Sequence, residues 1–369
     1  MISWLGIAFS TSVTALITLR FVMGVSDGIN MTVLPLYVGE IADKDIRGRL
    51  CTWGSFISYF GNLIVLSIGP FVTYKTLTLI CAVVPIVFVL VLSFLPQSPY
   101  FLMRSGQIEE SRRNLRRLLS KDVDETTLDE RIKEIELTVK SELRNKYNVL
   151  YIFSKKHFRF AIFLCFNLKL IMSFGGMTVL KSYLQTIIGS SASSISPELS
   201  SVIFAIVQQP TVLIAGFLVD KVGRKVLLII STLGCTISLG LEGLYFYLQD
   251  VVGMDLGVIS WLPTLCLAVQ LTMQPLGLGP VTSITVSEIF ADDTKSFSAG
   301  ILTTFNGFCL FMLTKYFLPV AEAWGMYTMF WIISVVCFYG TLFGIFILPE
   351  TKGKSFLEIQ EILRSRCAD

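Results

Sequence analysis

Three pairs of acidic and basic side chains stand where apolar stretches of the sequence end, and they could form ion pairs at helix ends. The pairs are Glu40 with Arg47, Asp220 with Arg224, and Glu288 with Lys295. In the first and last pairs the acid precedes the base by seven residues. Opposite charges at helix ends can hold a bundle closed in one conformation and release it in another. This chemistry predicts a gate; the alternative is that the charges only mark a membrane boundary and fix topology.

A second mark follows the first and last pairs in the same order, which indicates a duplicated unit. Pro96-Gln-Ser-Pro follows Glu40, and Pro349-Glu-Thr follows Glu288 at nearly the same spacing. A repeated order of marks is typical of internal duplication. Asp220 precedes Glu288 by 68 residues, so its equivalent in the first half would fall before the first residue. We therefore expect the chain to lack roughly the first two and a half helices of a complete repeat.

The composition predicts an integral membrane protein of the all-α class. Hydrophobic residues make up 53% of the 369 residues and charged residues only 15%, whereas soluble domains carry about 25% charged residues. Apolar stretches of about 20 residues can cross a bilayer as helices, and the alternating pattern of a membrane barrel is missing. We expect a partial helix over about 2–10 and nine complete spans. The expected spans are about 11–40, 52–71, 77–95, 159–180, 199–219, 226–248, 257–284, 298–319 and 327–348.

The spans divide the chain into four expected segments. These are 1–100, an incomplete N-terminal helix bundle; 101–157, a cytoplasmic amphipathic helical linker; 158–350, a C-terminal six-helix bundle; and 351–369, a cytoplasmic tail. Lysine and arginine concentrate in alternate loops, and basic loops face the cytoplasm. This rule places the C-terminus inside the cell.

The sequence favours neither catalysis nor nucleic-acid binding. It has no P-loop, and its single histidine, His157, leaves no Ser/His/Asp site to assemble. Its eight cysteines form no CxxC or Cys/His cluster, so we expect neither a metal nor another cofactor. The net charge is only +3 and is distributed over loops, so it gives no support for nucleic-acid binding. The expected partners are the lipid bilayer and a small molecule.

Four motifs together resemble those of a known transporter family. They are DKVGRK, PLYVGEIADKDIRGRL, PQSP and PETKGKSFLEIQ. The first resembles a signature of the major facilitator superfamily, and the others resemble marks of its sugar porter family, closest to the insect facilitated trehalose transporter branch. The resemblance implies a two-bundle fold, alternating access, and facilitated diffusion of a hexose or trehalose-like disaccharide across the plasma membrane. It also implies that the six charges named above are gating charges.

The positions that contact sugar in this family match less well. Met172, Ser173 and Thr178 stand where the family has two glutamines and an asparagine, and Ser55 stands in place of another glutamine. Replacement of these amides removes groups that both donate and accept hydrogen bonds. Depletion of the sugar site leaves an alternative function open, a non-transporting membrane sensor or an inactive fragment of a sugar transporter.

Some polar residues remain as candidate substrate contacts. By the resemblance these are Gln208, Asn306, Thr178, Ser283 and Ser55. Gln208 and Asn306 could instead form hydrogen bonds between helices, as amides often do in membrane bundles. Lys181 is unusual for a sugar pathway and could face the cavity. Residues 275–280 contain two prolines and two glycines, which predict an irregular helix beside a cavity or a packing kink.

Overall fold

The computed structural model describes residues 1–42, 44–119, 125–144, 156–190, 196–289, 292–354 and 356–365. Over these ranges the secondary structure is helical and contains no strand. The chain forms two compact units. The first comprises Met1–Gly54 and Ile68–Tyr147, and the second comprises Ser55–Ser67 and Asn148–Asp369. One membrane helix therefore contributes residues to both units.

In the described residues of the first unit, membrane helices are followed by three shorter helices in the linker. Its helices are α1 (Ile2–Phe9), α2 (Val13–Ile41), the ends of α3 (Lys44–Ile68), α4 (Tyr74–Leu92), α5 (Pro99–Arg104), α6 (Ile108–Leu118) and α7 (Glu125–Arg144). The linker helices pack through a small apolar cluster of Met103, Ile135 and Val139. Their other faces carry charges, including an ion pair of 2.7 Å between Arg112 and Asp129. An amphipathic helical linker was expected here from the spacing of its apolar residues.

The described part of the second unit contains the middle of α3 and ten further α-helices. They are α8 (Lys156–Phe174), α9 (Met177–Ser182), α10 (Leu184–Ser190), α11 (Pro197–Val222), α12 (Arg224–Tyr247), α13 (Leu262–Met273), α14 (Gly279–Ile289), α15 (Asp292–Trp324), α16 (Met326–Phe346) and α17 (Phe356–Ser365). A π-helical turn, Gln274–Leu278, joins α13 to α14. This turn lies in the stretch that the prolines and glycines predict to be irregular.

Eight helical stretches in the described part of the chain are long and apolar enough to span a membrane. They are Val13–Ile41, Tyr74–Leu92, Arg159–Ser182, Pro197–Val219, Arg224–Val252, Gly257–Val286, Ser298–Trp324 and Met326–Phe346. The remaining expected span, 52–71, corresponds to a shorter apolar helix, Phe56–Phe71. The expected partial helix corresponds to α1. The all-α membrane class is confirmed. Several helices extend past the expected spans because hydropathy marks only the part of a helix that contacts lipid.

Small residues let α12 and α16 approach each other closely. A methyl group on Gly340 of α16 would lie 2.7 Å from Ile171 and 3.2 Å from Thr232. Beside it the hydroxyl groups of Thr341 and Thr232 form a hydrogen bond of 3.0 Å. Lipid is as apolar as leucine, so helices in a membrane associate through close packing and such polar contacts rather than through burial of apolar surface.

The first span of the second unit is interrupted at Gly175 and Gly176, where Gly176 has a φ of +87°. Two buried glutamine side chains satisfy the backbone at this break. Gln270 Nε2 donates to the Gly175 carbonyl at 2.7 Å, and Gln274 Nε2 donates to the Met172 carbonyl at 3.0 Å. Irregular backbone at membrane depth needs protein groups of this kind because water is absent. The break sets the direction of α9, which carries Thr178 and Lys181.

Gly277 lies in the π-helical turn against the backbone of α12. A methyl group at Gly277 would lie 2.5 Å from the Leu227 carbonyl oxygen and 2.5 Å from Ser231 Cβ. Because a backbone atom cannot move aside as a flexible side chain can, we expect Gly277→Ala to lower the free energy of unfolding by about 1–3 kcal/mol. The measurement is the thermal unfolding midpoint of the purified protein in detergent.

Gly307→Ala provides the matched control, because Gly307 is a helical glycine of α15 with no described atom within 4 Å of the added methyl group. This substitution should leave the midpoint unchanged or raise it, since alanine is about 0.5–1 kcal/mol better than glycine inside a helix. Equal midpoints for both variants would contradict the close approach at Gly277.

Candidate functional site

Arg224 forms a partly buried ion pair with one of the predicted gating acids. It is the first residue of α12, and its Nη2 lies 2.9 Å from Oε1 of Glu288 in α14. Nη1 also donates to the Val219 carbonyl at the end of α11, at 3.3 Å. The side chains are only 11% and 23% exposed. One guanidinium therefore connects the ends of three helices, which suits its fork of donors.

The segment after α16 completes this cluster. Thr351 Oγ1 donates to Glu288 Oε2 at 2.6 Å, so both oxygens of the Glu288 carboxylate are bonded. Glu350 accepts hydrogen bonds from the backbone N–H groups of Arg224 and Lys225, each at 3.0 Å. These N–H groups begin α12, and a carboxylate there is favoured by the free donors and the helix dipole. We call Arg224, Glu288, Glu350 and Thr351 the charge cluster.

The backbone before α12 makes room for the Glu350 carboxylate. Gly223 has φ +97° and ψ 159°, a conformation essentially restricted to glycine. A methyl group on Gly223 would lie 2.7 Å from Glu350 Oε2. Burial raises the pKa of Glu350, but backbone N–H donors from Lys352, Arg224, Lys225 and Thr351 stabilise the charged form more, so its pKa lies below its ordinary value of 4.5.

The first unit contains a contact of the same chemistry. Ser98 Oγ donates to a carboxylate oxygen of Glu40, as Thr351 donates to Glu288 in the second unit. Close by, the Tyr37 hydroxyl donates to the Pro96 carbonyl at 2.7 Å. In each unit a hydroxyl from the second sequence mark therefore binds the glutamate of the first mark. This correspondence supports the duplicated unit inferred from the sequence.

Three of the six predicted gating charges have described side chains, and two of them meet. Arg224 pairs with Glu288, whereas Glu40 belongs to the separate contact of the first unit. The side chains of Arg47, Asp220 and Lys295 lie outside the described residues. Sequence reasoning did not assign Glu350 and Thr351 to the charge cluster. The signal was present, because both residues belong to the Pro349-Glu-Thr mark that the repeat had already singled out.

Gln208 has both ends of its amide group engaged. Its side chain is buried in α11, where Oε1 accepts from Lys181 Nζ at 2.6 Å and Nε2 donates to the Leu271 carbonyl at 2.9 Å. Lys181 Nζ also lies 5.0 Å from the centre of the Tyr59 ring, a cation–π contact. Gln208 is therefore a contact between helices in this conformation, which is one of the two uses expected for it.

Asn306 retains polar capacity for a ligand. The Ser173 hydroxyl lies 2.7 Å from Asn306 Oδ1 and 2.8 Å from the Lys169 carbonyl. Asn306 Nδ2 makes no hydrogen bond with any described residue. Further along α15, Phe317 stacks on the ring of Tyr183, which the family pattern places in register, with 5.1 Å between ring centres. Asn306 thus combines one fixed acceptor with one available donor.

The remaining predicted contacts differ in how far the structure describes them. Thr178 in α9 and Ser283 in α14 are exposed to the space outside the packed helices. Ser283 Oγ bonds back to the Gly279 carbonyl at 3.2 Å, which leaves its lone pairs accessible. The side chain of Ser55 lies outside the described residues. Sequence reasoning missed Gln270 and Gln274, for which the signal was two amides four residues apart in an apolar span.

Comparison with known proteins decides the family. Residues 1–363 match the family model described as "Sugar (and other) transporter". The chain belongs to this sugar transporter family. The match covers both units, so the family assignment applies to the whole helical architecture described above. It also makes the chain a multi-pass membrane protein.

Named relatives agree with this assignment. The chain is 31% identical over 368 residues to a protein from Bombyx mori named facilitated trehalose transporter Tret1, a match that covers 99% of this chain and 71% of that protein. It is 29% identical to the facilitated trehalose transporter Tret1-2 homolog of Drosophila simulans, covering 99% of this chain and 74% of that protein. These matches place the chain in the insect trehalose transporter-like branch of the family.

Solved structures show the fold. The structure of the major facilitator proton:xylose symporter XylE bound to 6-bromo-6-deoxy-D-glucose superposes with a TM-score of 0.76 at 22% identity, covering 98% of this chain and 80% of XylE. A partially occluded inward-open structure of the XylE xylose transporter from E. coli gives 0.78 at 21% identity, covering 96% and 79%. The fold of this sugar transporter family member is therefore that of the major facilitator superfamily.

Glu350 should make the stability of the protein depend on acidic pH. Its pKa is lower in the folded protein than its ordinary value of 4.5, so the stabilisation is present above that pH and is lost as the pH falls through the lower folded value. We expect the unfolding midpoint to fall on acidification below 4.5, and to fall less in Glu350→Gln.

Glu322→Gln is the control for this pH series, since Glu322 is exposed near the end of α15 and forms no hydrogen bond or ion pair with a described residue. It should keep the wild-type pH dependence. The capping role of Glu350 would be refuted by identical pH profiles for the wild type and Glu350→Gln.

Proposed function

We propose that this protein carries a small carbohydrate, a hexose or a trehalose-like disaccharide, across the plasma membrane by facilitated diffusion. The family description and the names of the insect relatives support this class of substrate. The observation that carries the proposal is the ion pair of Arg224 and Glu288 at the junction of three helix ends. Such a junction is where alternating access needs a contact that can form and break.

The charge cluster has the properties of a gate. Its ion pair is partly buried, so it is screened less than a surface pair would be, but its polar partners are enough to keep each charge solvated. The Glu288 carboxylate holds Arg224 on one oxygen and Thr351 on the other. Separation of α14 from the start of α12 would break the ion pair. In the proposed cycle the cluster stabilises one of the two alternating conformations.

Polar groups of the second unit would contact the substrate. Asn306 Nδ2 is an available donor, and Thr178 and Ser283 have exposed hydroxyl groups. Sugar hydroxyls both donate and accept hydrogen bonds, and these three side chains supply both functions. We assign the contact with a sugar ring to this set, together with Ser55 on α3. Gln208 would join them only in a conformation that releases it from Lys181.

Removal of either partner of the ion pair should reduce transport. We expect Glu288→Gln and Arg224→Ala each to lower saturable uptake of radiolabelled glucose and trehalose by about tenfold or more, because each leaves the other charge partly buried and unpaired. The measurement is initial uptake in oocytes, normalised to protein at the cell surface.

Glu322→Gln is again the matched control and should transport like the wild type. Unchanged uptake in both gating variants would remove the gating assignment. Absence of saturable uptake by the wild type, with protein at the surface, would contradict the transport function itself and favour a sensor or binding role.

The proposed orientation places the C-terminus in the cytoplasm, since Lys352 and Lys354 follow the last span closely and basic residues favour the inner side. An epitope tag after Asp369 should therefore be detected by antibody only in permeabilised cells. Detection on intact cells, beside an intracellular marker protein that stays hidden, would reverse the orientation.

A further inference from the structure

Lys181 is a cation at membrane depth whose described partners carry no negative charge. It lies in α9, within the span Arg159–Ser182, and is partly buried. Its Nζ contacts Gln208 Oε1 at 2.6 Å and lies 5.0 Å from the centre of the Tyr59 ring. No described carboxylate is within salt-bridge distance of it. Ionisable groups in membrane spans are costly and face the protein interior or a water-filled pathway, so their presence calls for a function.

The orientation of Gln208 is fixed in a way that favours the charged form of Lys181. Gln208 Nε2 is used by the Leu271 carbonyl, which forces Oε1 toward Lys181. An amide oxygen and an aromatic face each attract a cation, but neither has a formal charge to neutralise it. Of the three donors on the ammonium group, one is used by Gln208. The remaining donors have no acceptor among the described residues and can serve a ligand.

A buried polar group without a described partner lies one helical turn from Tyr59. Asn62 Nδ2 is buried and has no hydrogen-bond partner among the described residues. Tyr59 and Asn62 are three residues apart in α3 and therefore share the face that meets Lys181. Buried donors normally have an acceptor, so a donor without one indicates a place where a water, ion or ligand can bind. Lys181 in α9 and Asn62 in α3 therefore both present hydrogen-bond donors. No charged acceptor for either group is present among the described residues.

We propose that Lys181, with Asn62, forms a subsite for a carboxylate, so that this protein binds the acid form of a hexose, a hexuronate, more tightly than the neutral hexose. The proposal rests on the proposed transport function and deepens it by narrowing the hexose to its acidic form. A carboxylate has one negative charge at neutral pH and would leave a neutral pair with Lys181. A phosphate monoester has a charge of nearly two and would require a second cation. Lys181 is the cation that the described contacts place here.

Ligand-dependent thermal unfolding of the purified full chain in detergent tests this assignment without requiring transport. Glucuronate, glucose and glucose 6-phosphate are titrated against the wild type, Lys181→Met, Lys181→Arg and Lys315→Met. A ligand that binds the folded protein raises the unfolding midpoint with concentration. Lys315 is the matched control, because it is an exposed lysine of α15 that lies over the rings of Phe311 and Tyr316.

Glucuronate should raise the wild-type midpoint saturably and at lower concentration than glucose or glucose 6-phosphate. Lys181→Met should weaken glucuronate binding about ten- to hundredfold, as expected for loss of a charge-assisted hydrogen bond. Lys181→Arg should retain most of the binding and Lys315→Met all of it. The midpoint of each variant without ligand reports whether it has folded. If Lys181→Met does not fold, the ranking of the three ligands on the wild type and on Lys181→Arg decides whether the carboxylate site is correct.

Three results would overturn the assignment: glucuronate weaker than glucose on the wild type, tighter binding of glucose 6-phosphate, or equal glucuronate binding by the wild type and Lys181→Met. Uptake of the same three labelled solutes is measured separately. Glucuronate binding without uptake of any solute would refute the proposed transport while keeping the site. Saturable glucose uptake without glucuronate binding would refute the site while keeping transport.

Discussion

The absence of water inside a membrane is the constraint on which most of this structure depends, because every buried backbone group and charge must find its partner within the protein. An unbroken helix satisfies its own backbone, but the first span of the second unit is interrupted at Gly175 and Gly176. Gln270 and Gln274 compensate by donating to carbonyl groups on either side of the break. Ser231 similarly donates to the Met273 carbonyl at 2.7 Å beside the π-helical turn. The two irregular spans can therefore be ordered without solvent.

The same constraint explains where the charges concentrate. At the end of the bundle, Arg224 and Glu288 are paired and hydrogen-bonded, and Glu350 caps the first N–H groups of α12. Each charge there has several partners, which lets the cluster persist while partly buried. Lys181 differs because its described partners are neutral. In our proposals the first arrangement serves conformational change and the second serves recognition of the solute.

Each unit contains a contact of the same kind, although the sequences of the two units have diverged. Ser98 with Glu40 and Thr351 with Glu288 are the same hydroxyl–carboxylate pair at equivalent places in the repeat. In the second unit Glu288 of this pair also binds the guanidinium of Arg224, whose backbone N–H donates to the carboxylate of Glu350.

Hydropathy and motif spacing by themselves determined the helical membrane class, the approximate spans and the duplicated marks, because a span must be long and apolar whatever its neighbours are. The glutamates and Arg224 could also be singled out from their positions at the ends of apolar runs. Only the tertiary structure decided that Arg224 pairs with Glu288 rather than with a residue near it in sequence, that Glu350 caps α12, and that Gln208 holds Lys181. Those contacts join residues far apart in the chain, and their geometry depends on how helices pack, which the pattern of a single helix does not encode.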